Sequence, residues 1–243
     1  MKKVRKKIIS FRILSLLLVP GLLSFTVQAQ KQGVKNLPKY DHQPIHFGFT
    51  LGINSTGFNA VLVPDFHIQD TVYTIEPSSV AGLNLGIISN IRIGNHFDFR
   101  FIPSLSFSQR NLTYFFLYGQ TTGETILKKV ESTYLEFPFD LKFKSVRINN
   151  YRIYLLAGVK YSMDMVSQAK VSNTDKELVK LKKNDYGYEI GLGFDFYMTY
   201  FKFSPEIKMY HGLPNLLVKD GTRFSNPLES LRSKVFVISF TFE

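Results

Sequence analysis

The chain has 243 residues, and none of them is cysteine or tryptophan. Without thiols it can make no disulfide, thiolate metal site, cysteine nucleophile or acylated lipoprotein anchor. Beyond the first thirty residues, no apolar run approaches the roughly 20 residues that a membrane-crossing helix needs. The sequence also lacks HExxH, GxSxG and GxxxxGK[ST] patterns, and so the usual frames for zinc, acyl-transfer and nucleotide chemistry. His42, His46, His67, His96 and His211 form no HExxH frame; His42 and His46 stand four apart, and the other three are scattered. No metal and no cofactor are expected. Casting His67 with Asp65 or Asp70 as a catalytic pair would leave any serine partner to guesswork. The acids Glu189 and Asp195 more readily pair with cations than perform acid–base work.

The amino terminus is rich in what the rest lacks. Lys2, Lys3, Arg5, Lys6 and Lys7 precede the apolar run ILSLLLVPGLLSF, and small residues at Val27 and Ala29 frame a cleavage position. This is the pattern of a secretory signal peptide over residues 1–29, removed after Ala29. Pro20 and Gly21 interrupt a run already short for a span. Removing the leader takes six cations and no acid, and the formal charge falls from +11 to +5. Most of the basicity therefore belongs to targeting, and nucleic acid is not an expected partner.

Residues 30–43 are polar and read as a flexible N-terminal segment. From residue 44 to residue 243 the chain alternates with a two-residue period. In IHFGFTLGI (45–53), Ile45, Phe47, Phe49, Leu51 and Ile53 share one side and His46, Gly48, Thr50 and Gly52 the other. The same split recurs in AGLNLGIISNIRI, FDFRFIPSLSF, YLEFPFDLKFK, YRIYLLAGVKYSM, YGYEIGLGFDFYM, FKFSPEIKM and KVFVISFTFE. Eight strands are expected. Short connections (GNH, RINN and a turn at Thr199–Tyr200) alternate with long ones at roughly 54–79, 117–128, 164–184 and 212–230.

Alternation by itself suits a soluble barrel or a sandwich as well as a membrane barrel. Three features favour lipid outside. The bulky face is nearly unbroken, with aromatics near strand ends. The polar face mixes glycines with charges of both signs: Arg92, Arg100, Glu136, Asp140, Lys142, Arg152, Lys160, Glu189, Asp195, Lys202, Glu206 and Lys208. The chain also carries an export leader. Only helices and closed barrels satisfy their backbone in lipid. The expectation is an all-β, eight-stranded antiparallel up-and-down transmembrane β-barrel, integral to the outer membrane, with outer-membrane lipid around it. Its interior should be filled by paired charges rather than open. A cationic loop holding Lys176, Lys180, Lys182 and Lys183 could meet anionic lipid or an acidic partner.

Five stretches, LPKYDHQPIHFGFTLGIN, YLEFPFDLKFKS, GVKYSMD, DYGYEIGLGFDFYMTYFKFSPEIK and GLPNLL, together resemble the PorT family across essentially the whole mature chain. The resemblance implies an eight-stranded outer-membrane barrel associated with the type IX secretion system. It implies a non-enzymatic role in protein transport: export and surface attachment of secreted proteins such as proteases. Partners would be other secretion-system components, including a large translocon barrel. The family supplies no catalytic residue. An adhesin or ligand-binding surface barrel, or a membrane-embedded lipid-modifying enzyme, are the alternatives. Glu243 follows the final aromatic Phe242, which departs from the usual terminal aromatic and is expected to weaken the insertion signal slightly.

Overall fold

A computed structural model describes residues 34–64, 72–118, 122–166 and 179–243. Nine strands follow one another: β1 (Ile45–Leu62), β2 (Val72–Arg92), β3 (Phe97–Phe101), β4 (Ser104–Tyr118), β5 (Thr122–Lys144), β6 (Tyr151–Asp164), β7 (Asn184–Tyr197), β8 (Lys202–Gly212) and β9 (Leu228–Phe242). All pairings are antiparallel; β3 and β4 each pair with β2 and β5, the strands from β5 to β9 pair in sequence order, and β1 pairs with both β2 and β9. Up to the level of Thr56 and Val80 the ladder thus returns on itself and leaves no open edge. The extra strand is a division of one expected stave. β3 and β4 both lie between β2 and β5, separated at Ile102 and Pro103, where proline has no N–H to give the ladder. Eight staves therefore surround the interior.

The alternation read from the sequence sets which side chains face out. Phe47, Ile87 and Val159 are 69, 64 and 61 % exposed, and similar residues clothe every stave. An apolar band of this extent is incompatible with a free surface in water. Inward residues are small or charged. Gly193, paired with Tyr154, shows why small ones recur: a Cβ there would lie 2.2 Å from the Tyr154 ring.

Strand length departs from the sequence-based expectation. β2 and β5 run 21 and 23 residues, about twice what a barrel stave needs to cross a bilayer. Most of the expected loops 54–79 and 117–128 is strand; between β4 and β5 only 119–121 lies outside the described residues. The extensions separate into two flaps. The β1–β2 pairing ends at Thr56 and Val80, while β1–β9 continues to Leu62 and Leu228 and β4–β5 to Tyr118 and Thr122. Between the flaps sits an apolar core of Phe58, Ile75, Leu112, Tyr114, Phe116 and Leu231 with their neighbours. Val179, Leu181, Leu216, Leu217 and Phe224 from the connecting segments complete it. In β4 the inward side changes with height, from Ser104, Ser106 and Ser108 through Arg110 to Leu112, Tyr114 and Phe116. Outward residues change oppositely: on β9, Phe240, Ile238 and Phe236 give way to Lys234 and Arg232.

At the opposite end, residues 36–43 are bonded to the barrel, where a flexible N-terminal segment over 30–43 was expected. Asn36 donates its backbone N–H to Asn150 at 2.8 Å and its side-chain amide to the Tyr197 carbonyl at 3.0 Å. The Tyr40 hydroxyl donates to Glu243 at 2.9 Å, and the Tyr40 ring stacks on His46 with centroids 3.9 Å apart. Asn36, Tyr40 and Asp41 spend their polar groups on hydrogen bonds to the barrel, while Lys35, Lys39, His42 and Gln43 stay exposed. The expected leader lies outside the described residues.

Candidate functional site

The interior of the ring is the concentration of chemistry in this chain. Its charged side chains come from inward positions of six staves and meet in layers. Nearest the turn end, Lys144 bonds Asp98, which also accepts from Asn90 at 3.1 Å. Above it, Asp195 accepts from Lys142 at 2.9 Å, lies 3.2 Å from Arg152 and 3.9 Å from Lys202. Arg100 bonds Glu206 and reaches Glu243 at 2.9 Å, and Lys202 meets Glu243 at 3.0 Å. Tyr154 donates to Glu206 at 2.6 Å, and its ring lies 3.5 Å beneath the Lys142 ammonium. Nearer the head, Lys208 sits 3.3 Å from Glu189 and 4.0 Å from Asp140, and Lys160 is 3.1 Å from Glu136 and 3.7 Å from Glu189.

These pairs are almost wholly shielded from water. Arg100, Asp140 and Asp195 are 0 % exposed. Such charges persist when paired and hydrogen-bonded, as Arg100 and Asp195 are; Asp140 has Lys208 at 4.0 Å and no hydrogen bond to either carboxylate oxygen among the described residues. β3 and β8 stand four staves apart in a ring of eight, so the Arg100–Glu206 bond crosses the full width of the interior. An eight-stranded ring is just wide enough to be filled in this way.

Of the residues expected on the charged face, Arg100, Glu136, Asp140, Lys142, Arg152, Lys160, Glu189, Asp195, Lys202, Glu206 and Lys208 meet here. Arg92 does not; it donates to the Gly94 carbonyl at 3.2 Å and to Asn95 at 2.7 Å in the β2–β3 turn. The turn captures it because β2 ends there. The cationic loop also divides. Lys176 lies outside the described residues, whereas Lys180 is buried and 4.0 Å from Asp220, so it is not a solvated cation. Val179 and Leu181, its neighbours, anchor that segment in the apolar core. Lys182 and Lys183 are exposed.

Asp98 and Lys144 lie in phase with the charged face and could have been assigned to the network. Glu243 was legible too, because it continues the alternation Thr241 in, Phe242 out; its carboxylate serves the lumen. Asp41 and Arg147 had no such signal, since neither lies in a periodic stretch. Arg147 bonds Asp41 at 3.1 Å, Arg152 lies 3.2 Å from the same carboxylate, and Tyr197 donates to it at 2.9 Å. Burial works to raise the Asp41 carboxyl, but Arg152, Tyr197 and Arg147 together hold it below its ordinary range. The histidines do not converge: His46 packs on Tyr40, His96 contacts the Lys144 carbonyl and His211 lies against Tyr188. His67 lies outside the described residues, as do Asp65 and Asp70.

A closed antiparallel ring, an apolar exterior and a charged interior find their counterpart among known proteins. The family model described as "Outer membrane protein beta-barrel domain" matches residues 28–218. The chain belongs to this family. It is a barrel of the outer membrane, and the short turns of such barrels face the periplasm while the longer connections face outward. Among solved structures, Neisserial surface protein A is similar at 10 % identity, with 82 % of this chain and 98 % of that one covered and a TM-score of 0.42. The outer-membrane protein OprG from Pseudomonas aeruginosa matches at 13 % identity over 87 % and 95 % of the two chains, with a TM-score of 0.37. Ail of Yersinia pestis matches at 12 % identity over 82 % and 98 %, with a TM-score of 0.36. No curated protein matches the chain.

Proposed function

We propose that this barrel is a non-catalytic component of a type IX protein-secretion machine, needed for export and surface attachment of cargo such as proteases. It reaches the outer membrane with residues 1–29 as a cleaved leader. The resemblance to the PorT family supplies the pathway. The observation that supports an accessory role is the Arg100–Glu206 bond across the full width of the interior, with Glu243, Lys202 and Asp195 packed around it. A lumen tied across in this way offers a polypeptide no passage, so cargo must cross through a larger partner barrel.

The test is a clean deletion of the gene. Secreted cargo is expected to accumulate in the periplasm and to return to the surface on complementation. Cargo exported normally by the deletion strain would overturn the proposal. Crosslinking in native membranes followed by affinity purification is expected to recover a large barrel. Recovery of the intact protein without any secretion component would count against the assignment.

A further inference from the structure

The outward surface differs in charge around the ring. On the β2–β4–β5 flap, Glu76, Lys129 and Glu131 mix the two signs. On β7, β8 and β9 the outward residues just above the apolar band include cations and no carboxylate. One cross-strand row runs Val159, Tyr188, His211 and Lys234, and the row beneath it runs Ile190, Met209 and Phe236. On β9 the step from Phe236 to Lys234 marks the level where hydrocarbon gives way to polar surface, while exposed Tyr161, Tyr186 and Leu213 continue above the row on the β6–β8 side. Two residues further along β9, Arg232 points outward on the same side, opposite Asn59. Lys234 and Arg232 are exposed, and neither has an ion-pair or hydrogen-bond partner among the described residues. The nearest carboxylate along β9 is Glu229, at the irregularity opposite Val61 and Leu62. The His211 ring lies 5.6 Å from that of Tyr188, giving the row an amphipathic aromatic floor.

We propose that Tyr188, His211, Lys234 and Arg232 form a binding site for the phosphate of a phosphorylated lipid in the surrounding leaflet. Its acyl chains lie against Ile190, Met209 and Phe236. The chemistry fits at each level. Tyrosine and histidine rings settle at the headgroup boundary, a guanidinium and an ammonium side by side recognise phosphate oxygens, and apolar side chains continue directly below. In the lumen Arg100, Lys142, Lys160, Lys202 and Lys208 are each matched by a carboxylate even at high desolvation cost. Two unmatched ones at the boundary point to a negative group supplied from outside. Depth selects the source: a site level with the end of the apolar band meets a lipid headgroup before a dissolved anion.

The experiment uses the full folded barrel in neutral-detergent micelles. Retention of bis-phosphorylated lipid A, its dephosphorylated form and inorganic phosphate is measured by native mass spectrometry. The wild type is expected to retain the phosphorylated lipid. The R232Q/K234Q double variant should bind it about tenfold more weakly or worse, each cation contributing a few-fold. K129Q, on the opposite flap, should bind as the wild type does. Unchanged urea midpoints establish that the variants are folded, and K234Q alone provides a milder substitution with an intermediate loss. The proposal fails if the double variant retains the lipid fully or if K129Q loses as much. It also fails if dephosphorylated lipid binds as tightly, or if free phosphate binds as well as the lipid does.

Discussion

Arg100 holds two carboxylates at once, Glu206 and Glu243, with no exposure to water. Truncating it to alanine leaves buried Glu206 with no ion pair within 4 Å among the described residues, only the Tyr154 hydroxyl as donor and the Lys208 charge at longer range, while Glu243 keeps Lys202. Breaking a buried pair from one side costs about 3–5 kcal/mol, because an uncompensated charge remains. The R100A barrel should therefore unfold at markedly lower urea in lipid vesicles, whereas R100M/E206Q, which removes both partners, should recover most of the loss. A double variant no more stable than R100A would show that the pair acts through shape and not charge. Gly193 tests packing in the same layer. A valine there collides with Tyr154, whose hydroxyl donates to Glu206, so G193V should cost about 1–3 kcal/mol from overpacking. G193V/Y154A frees the space, and its loss should fall well short of the two single losses added, as contacting residues require.

At the scale of elements, the alternation made the staves legible, along with their outward faces and most of the charged interior. It did not show where β1, β2, β4 and β5 end. Above the membrane the apolar side turns inward and the polar side outward, so residues such as Leu112 and Tyr114 keep a two-residue period with its meaning reversed. Reading the bulky face as outward throughout stops each strand at the change, and this is why 54–79 and 117–128 resembled loops. The segment before β1 was illegible for a different reason: its order comes from contacts with Asn150, Tyr197, Arg147 and Glu243, all distant in sequence. That segment makes a pH prediction. Asp41 is held below its ordinary value in the folded state, so its anchoring contribution is complete above the unfolded carboxylate range. It is lost as pH falls through the lowered folded value. Amide exchange over residues 35–43, corrected for intrinsic rates, should rise only in that acidic window. At neutral pH, D41N should expose Lys35 and Lys39 to trypsin faster than the wild type, with the β-strands still protected. Equal cleavage of the two proteins would place the anchor in Tyr40 and Asn36 instead.

For the molecule as a whole, three closures lie in series along one axis. The segment ending at Tyr40–His42 is bonded across the turn end, the ion-paired layers fill the middle, and the apolar core between the flaps fills the head. Their physics differs, so no single condition removes all three. Salt weakens exposed pairs but screens buried ones much less. Acid releases carboxylates but leaves the head core intact, and the loss of one closure leaves two. The barrel reconstituted in planar bilayers should accordingly show no porin-like conductance step at neutral pH. A variant lacking residues 35–43 should stay closed as well, since Arg100 and Glu206 still meet across the interior. Neutralising the middle alone, as in R100M/E206Q, should also fail to open it, because an eight-stave ring leaves room only for its own side chains. A stable ohmic step from either variant would mean that the interior rearranges far more than these contacts allow. The filled lumen could then no longer be the reason for assigning passage to another barrel.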